Sequence, residues 1–114
     1  MHHGRERWAR EMARIRRSRI LFSRHFRERI RARGITLQDV AGVLETGYII
    51  QGHAPWGYGG NPDPVRVVIG RGTDGRILHV VVALRARCVI LVTAYEPDPE
   101  IWNDDHCTLR PRRR

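Results

Sequence analysis

Two histidines and two arginines in this sequence are of types that could act on a phosphate group. His25 and Arg29 are four residues apart in a predicted helix, so their side chains share one helical face. Arg76 and His79 open a predicted strand, and Tyr95 ends the strand that follows it. Cleaving RNA through its own 2′-hydroxyl needs a base for that proton, an acid for the 5′-oxygen and cations for the phosphorane charge. Histidine can be acid or base near neutral pH, and the arginine guanidinium matches two phosphate oxygens at once.

The candidate catalytic residues of a metal-independent ribonuclease are therefore His25, His79, Arg76 and Tyr95. Each has a structural alternative that the sequence leaves open. His79 interrupts an aliphatic strand, where a buried imidazole bonded to a backbone carbonyl or to His25 would also satisfy the pattern. His25 could brace its helix, Arg76 could be a solvated residue after a turn, and Tyr95 could pack at the end of the sheet.

The charge of the chain indicates a polyanionic partner. The 21 basic residues, all of them arginine, outnumber 12 acidic ones and give a formal net charge of +9. Such an excess is typical of proteins that bind nucleic acid or an acidic protein. The candidate nucleic-acid-binding residues, with RNA as the expected ligand, are Arg24, Arg29, Arg33, Trp56 and Tyr58. The two aromatic residues lie in a glycine-rich loop, where they could stack on bases or pin the loop to the domain.

The remaining histidines do not indicate a metal site. His2, His3, His53 and His106 lack metal-ligand spacing, both with each other and with the two cysteines. The sequence also lacks a phosphate-binding glycine motif and a nucleophile elbow. We therefore expect no metal and no other cofactor.

Length and composition favour a single domain. The 114 residues are enough for one hydrophobic core. No stretch approaches the roughly 20 apolar residues of a membrane span, and the charged N-terminus lacks the apolar region of a secretory signal. Cys88 in a predicted core strand and Cys107 near the C-terminus are typical of reduced thiols rather than of a disulfide framework. We expect a cytoplasmic protein with no membrane partner, and the sequence leaves its oligomeric state open.

The candidate residues lie around a predicted β-hairpin. Two dense runs of aliphatic and β-branched residues, Ile77–Leu84 and 88–95, flank a short polar break. Asp74-Gly75 is a turn signal directly before the first run. Near-continuous apolarity indicates that both faces of these strands are covered. If the two runs pair, His79 lies toward the end of the hairpin that carries Tyr95.

A short strand and two helices are predicted before the hairpin. Residues 20–22 are typical of an edge strand, and Ser23 is a good N-cap for a helix over 24–33 that Gly34 ends. Thr36 is a second N-cap, for a helix over 37–45. We expect its buried stripe to contain Leu37, Val40, Ala41 and Leu44. Two more strands, 48–51 and 65–70, flank the glycine-rich loop.

The basic ends of the chain lie outside the predicted domain, which spans 19–103. Residues 1–18 form a basic segment in which Trp8, Met12 and Ile15 line one apolar helical face. This segment is either an N-terminal helix, frayed or packed on the domain, or an arm that binds nucleic acid, and translation could also begin at Met12. Residues 104–114 form a basic C-terminal tail.

The order of elements predicts an α+β fold. A short strand and two helices precede four strands that pair mainly antiparallel, so the helices are expected to pack on one face of a twisted four-stranded sheet.

Four short motifs give the chain a resemblance to a known family, the DUF4258 proteins. In order they are Phe22-Ser-Arg-His25 with Arg29, Ile35-Thr36 with Asp39-Val40, Gly75-Arg76 with Leu78-His79-Val80-Val81, and Val92-Thr-Ala-Tyr-Glu-Pro-Asp98 with Trp102. The resemblance covers about 20–103, and it leaves out 1–18 and the glycine-rich stretch 56–60. Because DUF4258 proteins are similar in layout to RelE/BrnT-type toxins, the resemblance implies a RelE-like fold.

The resemblance also implies a function and a partner. It implies the toxin of a bacterial type II toxin–antitoxin pair, acting as a metal-independent endoribonuclease. Genes of this family often lie beside a YgiT-type zinc-finger antitoxin, so the implied partners are RNA and a cognate antitoxin, the latter of a zinc-finger type. The alternative is a non-catalytic nucleic-acid-binding or protein-interaction module of the same fold, whose histidines are structural.

Overall fold

A computed structural model describes residues 2–111 of the chain, and this range contains three helices and five strands. In chain order the elements are α1 (His2–Arg17), β1 (Arg19–Phe22), α2 (Arg24–Ala32), α3 (Leu37–Thr46), β2 (Tyr48–His53), β3 (Val65–Arg71), β4 (Ile77–Leu84) and β5 (Cys88–Tyr95). None of these helices combines the length and the apolarity needed to cross a membrane.

The strands form one mixed sheet in the order β1-β5-β4-β3-β2. The strands β2 to β5 pair antiparallel, whereas β1 runs parallel to β5, with Arg19 opposite Cys88 and Phe22 opposite Leu91. The α+β class and the edge position of β1 agree with the sequence-based prediction. The four-stranded, mainly antiparallel sheet has to be corrected to a five-stranded mixed one. The correction comes from a pairing between distant parts of the chain, which local patterns do not reveal.

Both faces of the sheet are covered, as the continuous apolar runs indicate. The face that packs against the helices, called the helix face below, contributes Val68, Val80, Val82 and Leu91 to the main core. The opposite face, called the loop face below, contributes Val65, Val67, Val81 and Ala83. Tyr58 of the loop between β2 and β3 packs on the loop face. Tyr58, Tyr95 and His79 lie on this face, and Arg33 at the end of α2 reaches it through Thr93.

Ser23 and Thr36 begin α2 and α3 as the sequence predicts. The Ser23 hydroxyl accepts from the Phe26 N–H at 3.1 Å. The Thr36 hydroxyl accepts from the Asp39 N–H at 3.0 Å, and the Asp39 carboxylate accepts from the Thr36 N–H at 2.9 Å, which completes a capping box. Gly34 follows α2 at φ +68°, a left-handed conformation that favours glycine at a helix end.

The buried side of α3 differs in part from the predicted stripe. Its buried residues are Asp39, Val40, Val43 and Leu44. Leu37 and Ala41, which the apolar pattern places in the stripe, are exposed. The helix is rotated because the Asp39 carboxylate also accepts from the N–H and hydroxyl of Thr73, at 2.8 and 2.6 Å, in the β3–β4 turn. These hydrogen bonds, led by that from Thr36 N–H, hold the pKa of Asp39 well below its usual range.

Helix α1 packs on the helix face with the predicted apolar side inward. Met12 and Ile15 are buried, and Trp8 packs beside them. Glu11 accepts from Nε and Nη2 of Arg66 on β3, at 2.7 and 3.0 Å, and Arg66 is only 5% exposed. Of the alternatives for this segment, a packed helix is the one that the structure shows for the described residues.

The segment after β5 folds back over the loop face. Trp102 pairs with Leu109 in an antiparallel bridge, and the Asn103 N–H donates to the Thr108 carbonyl at 2.8 Å. The segment is therefore folded through the first part of the predicted basic tail, while 112–114 lie outside the described residues. This return places Trp102 and the following turn against β4.

Candidate nucleic-acid interface

Helix α2 carries a row of basic side chains beside its buried edge. Burial of Phe26 and Ile30 fixes the orientation of the helix, so His25, Arg29 and Arg33 fall along one side; these three residues are called the α2 row below. Nη2 of Arg29 lies 2.7 Å from Nε2 of His25. Because a guanidinium can only donate, Nε2 is the acceptor, and His25 in this contact is a neutral imidazole with its proton on Nδ1.

Arg33, the last residue of the α2 row, lies beside the part of β5 that has no strand partner on its outer side. The parallel pairing of β1 with β5 stops at Phe22 and Leu91. Beyond it, Nη1 of Arg33 donates to the Ala94 carbonyl at 2.8 Å and to the Thr93 hydroxyl at 2.9 Å. Thr93 pairs with a loop-face residue of β4. Arg33 therefore satisfies a free strand edge and brings a positive charge to the loop face.

Two tyrosines of the loop face, Tyr58 and Tyr95, lie close enough to the α2 row for its positive charges to affect their pKa values. Burial raises the pKa of Tyr95 to about 12, the Tyr58 hydroxyl adds to the rise, and Arg33 opposes it. Burial also raises the pKa of Tyr58, against the charges of Arg29 and Arg33. Both tyrosines therefore keep their protons at neutral pH. Each can donate a hydrogen bond to a phosphate, and neither can serve as a base there.

His79 is fully buried next to Tyr95, its direct neighbour in the β4–β5 ladder. Nε2 of His79 lies 2.6 Å from the His106 carbonyl, which can only accept, so Nε2 carries the proton and Nδ1 accepts from the Tyr95 hydroxyl at 3.3 Å. Trp102 packs nearly perpendicular to the imidazole, with ring centroids 4.5 Å apart. Burial lowers the pKa of His79, although the bond to the His106 carbonyl opposes the shift. In this structure His79 is a neutral, fully bonded imidazole, and its catalytic role stays a prediction.

Replacing His79 by phenylalanine is expected to lower the free energy of unfolding by roughly 1–3 kcal/mol, because the His106 carbonyl loses its donor. Wild-type stability should also fall as the pH drops below 6.5, since the unfolded chain then binds a proton that folded His79 resists. His79→Phe should lose that part of the pH dependence. Urea denaturation on both sides of this pH measures both effects. Equal slopes in His79→Phe and wild type would contradict the expectation.

Arg76 is held by carboxylates where it reaches the end of α2. Its guanidinium donates to Asp74 at 2.7 Å, to Glu96 at 3.0 Å and to the Gly34 carbonyl at 2.8 Å, and it lies 3.7 Å from Asp39. The bond to Glu96, more than any other contact, raises the pKa of Arg76. Its charge is therefore matched by acidic neighbours, which would repel a phosphate.

Trp56 and Arg24 are both exposed, and Arg24 lines a groove on the side of α2 away from the α2 row. Trp56 is 69% exposed, and its backbone N–H donates to the Asn61 carbonyl at 2.7 Å. Its φ of +68° is uncommon for a bulky residue. Arg24 is solvent-exposed and contacts Glu28 at 3.2 Å. Tyr58, in contrast, is packed on the sheet. The two alternatives for the loop aromatics therefore apply to different residues: Tyr58 pins the loop, and Trp56 is presented to solvent.

Thr93 and His106 belong to this arrangement, although sequence patterns do not identify them as site residues. Thr93 is a polar residue in an apolar run, which signals that it has a specific partner. His106 contributes a backbone carbonyl, and a carbonyl leaves no trace in the residue type. In the described part of the chain, no group of three His, Cys, Asp or Glu side chains is arranged to hold a metal ion.

Comparison with known proteins identifies the family. Residues 22–96, more than half of the chain, match the family model of a domain of unknown function, DUF4258. The chain belongs to the DUF4258 family. No curated protein and no solved structure matches it. The DUF4258 match begins at the last residue of β1 and ends directly after β5, so it contains the α2 row and both tyrosines. It excludes α1 and the C-terminal segment that covers His79.

Proposed function

We propose that this DUF4258 protein binds RNA across the α2 row and the adjoining loop face, and cleaves it without a metal as the toxin of a bacterial type II toxin–antitoxin pair. The observation that carries the proposal is the neutral, exposed His25 held by Arg29 at 2.7 Å, in line with Arg33. An acid–base group thus contacts one cation, and a second cation lies two turns further along the same side of α2, which supports phosphodiester binding and cleavage.

In the proposed reaction, the phosphate releases the base as it binds. Arg29 currently donates to Nε2 of His25. A phosphate that takes over the Arg29 guanidinium frees this nitrogen to accept the 2′-hydroxyl proton, so base and cation become active together. The 2′-oxygen then bonds to phosphorus as the P–O5′ bond breaks, and the leaving 5′-oxygen takes its proton from solvent water. Arg33 supplies a second positive charge. The Tyr95 hydroxyl, which donates to Nδ1 of His79 at 3.3 Å, would turn from His79 to donate to the charged oxygens. Trp56, exposed on the same loop as Tyr58, offers a flat surface for an unpaired base.

The toxin part of the proposal rests on the family and on the charge. The DUF4258 layout resembles that of RelE/BrnT-type toxins, and we extend this likeness to a RelE-like fold and to a cognate antitoxin, of zinc-finger type. With a net charge of +9, the protein would attract RNA at long range and an acidic antitoxin equally well. Such an activity requires access to cellular RNA, so we place the protein in the cytoplasm.

One observation favours a non-catalytic alternative. His79 has both ring nitrogens bonded, one of them to the Tyr95 hydroxyl, and Arg76 is paired with carboxylates. Three of the four candidate catalytic residues therefore already have partners within the protein. A protein whose candidate catalytic residues are engaged in this way could bind RNA without cleaving it. Measuring binding and cleavage separately distinguishes the two functions.

RNA binding is expected to weaken steeply with salt, and Arg29→Gln should reduce that dependence. Each phosphate contact contributes about 0.7 to the slope of log affinity against log salt on single strands, so the variant should lose about one such step. The assay uses a 2′-O-methyl oligonucleotide, which binds like RNA and cannot be cleaved through its 2′-oxygen. Arg27→Gln, an exposed arginine on the other side of α2, is the matched control. An affinity that barely responds to salt, or an equal effect of both variants, would contradict the proposed interface.

A further inference from the structure

The outer side of β1 is an open, apolar strand edge. β1 is the last strand of the sheet on its side, and within the described residues it pairs only with β5. Ile20, Leu21 and Phe22 are 40%, 38% and 39% exposed. An edge of this kind presents unpaired backbone N–H and C=O groups together with apolar side chains, which is what an added strand requires.

The apolar surface continues from β1 into a groove along α2. Phe22 belongs to both, because it ends β1 and also lines the groove. Ile30 and Leu37 extend the apolar lining, and Leu37 is 39% exposed. Arg27 and Arg31 supply its basic side. The edge and the groove together, called the β1–α2 surface below, form one continuous strip.

The charge of the β1–α2 surface is positive at both ends. Arg19 opens β1 and is exposed, while Arg27 and Arg31 are exposed and have no hydrogen-bond or ion-pair partner among the described residues. The acidic residue of the groove, Glu28, is contacted by Arg24 at 3.2 Å. A chain laid along the strip would therefore meet unpaired positive charge on either side of an apolar centre.

We propose that the β1–α2 surface is the docking site of an extended, acidic segment of a partner protein, which adds to the sheet as a sixth strand next to β1. Its backbone pairs with the β1 edge, its apolar side chains cover Ile20, Leu21 and Phe22, and its carboxylates bind Arg27 and Arg31. The side of α2 that lines the groove is not the side that carries the α2 row. The inference therefore holds whether or not the protein cleaves RNA.

Two other occupants of this surface, a second copy of the chain and RNA, fit it less well. A second copy would present the same unpaired arginines, Arg19, Arg27 and Arg31, so like charges would repel across the interface. RNA has no regular row of N–H and C=O groups to complete a strand edge, and its phosphates gain nothing from three apolar side chains.

The test is a titration of the isotope-labelled full-length protein with a short synthetic peptide in which glutamate alternates with valine. We expect backbone amide signals of Arg19–Phe22 to shift and their hydrogen exchange to slow. Arg27→Glu combined with Arg31→Glu should weaken peptide binding about tenfold or more, since charge-assisted bonds are lost. Arg5→Glu combined with Arg10→Glu on α1 makes the same charge change at exposed positions and should leave the affinity unchanged. Leu21→Lys, which alters only an exposed side chain of the edge, should also weaken binding.

Four results would overturn the inference. The peptide could leave the β1 amides unshifted, or both charge-reversed pairs could weaken binding equally, which would indicate general charge attraction. An RNA oligonucleotide could shift the same amides more strongly than the peptide. A concentration-dependent dimer that Leu21→Lys abolishes would assign the edge to a second copy. None of these measurements depends on RNA cleavage, so a failure here is separate from a failure of the proposed enzyme activity.

Discussion

Replacing His25 by glutamine is expected to lower the rate of RNA cleavage about 10²- to 10⁴-fold, the usual contribution of a positioned acid–base group. Glutamine keeps a side chain that Arg29 can contact, but it cannot take up the 2′-hydroxyl proton at neutral pH. Because His25 is exposed and lies outside the core, the fold and the affinity for a 2′-O-methyl oligonucleotide should be unchanged. The measurement is single-turnover cleavage of an end-labelled RNA, with binding measured in parallel.

Arg27→Gln is the control for this experiment. Arg27 is exposed on the side of α2 away from the α2 row, so the control should cleave at the wild-type rate. Full cleavage by His25→Gln would remove the residue from the reaction. Loss of cleavage in folded His79→Phe, with His25→Gln active, would transfer the role to His79. A wild-type protein that binds RNA and leaves it intact would select the non-catalytic alternative.

The elements that could be predicted are those with local signals. Ser23, Thr36 and Gly34 mark helix ends through hydrogen bonds and backbone angles within a few residues, and the observed α2 and α3 begin where those residues place them. The strand pairing of β1 could not be predicted, because its partner β5 lies about seventy residues further along the chain and no local pattern records the choice. The rotation of α3 was equally hidden, since it follows from hydrogen bonds between Asp39 and the distant Thr73.

In the candidate site too, local features could be predicted and contacts between distant parts of the chain could not. The proximity of His79 and Tyr95 follows from the hairpin register, and the structure places them directly opposite each other. The sequence could not show that His79 bonds the His106 carbonyl and packs against Trp102, because both partners come from the segment that returns after β5. It also could not show that Arg33 would close the open edge of β5 through the Ala94 carbonyl.

Helix α1 is the largest structural contribution from outside the DUF4258 match. It buries Met12 and Ile15 in the main core, and its Arg16 donates to the carbonyls of Leu44 and Gly47 at 3.1 and 2.7 Å, where α3 ends. A positive side chain at the C-terminus of a helix satisfies its free carbonyls and complements its dipole. The family domain of this protein is therefore completed by a helix that the family pattern does not contain.

The contribution of α1 to the stability of the domain can be tested at the ion pair between Glu11 and Arg66. Glu11→Gln is expected to lower the free energy of unfolding by roughly 3 kcal/mol, because it leaves the nearly buried Arg66 guanidinium without its countercharge. The value lies at the lower end of the usual range of about 3–5 kcal/mol for breaking a buried pair, since the Glu11 side chain is 17% exposed and water can reach the site. It is nonetheless a large share of a typical domain stability of about 5–15 kcal/mol. Urea denaturation followed by circular dichroism measures it.

Two further variants separate the ion pair from a general effect of charge. Glu6→Gln makes the same substitution at an exposed position of the same helix and should change the stability by less than about 0.5 kcal/mol. Glu11→Leu combined with Arg66→Met removes both charges and fills the space with apolar atoms, and it should recover much of the stability that Glu11→Gln loses, because the cost lies in the unpaired charge rather than in the absence of the pair. If Glu11→Gln is no less stable than Glu6→Gln, α1 is not held to β3 by this contact, and the apolar face of Met12 and Ile15 alone anchors the helix.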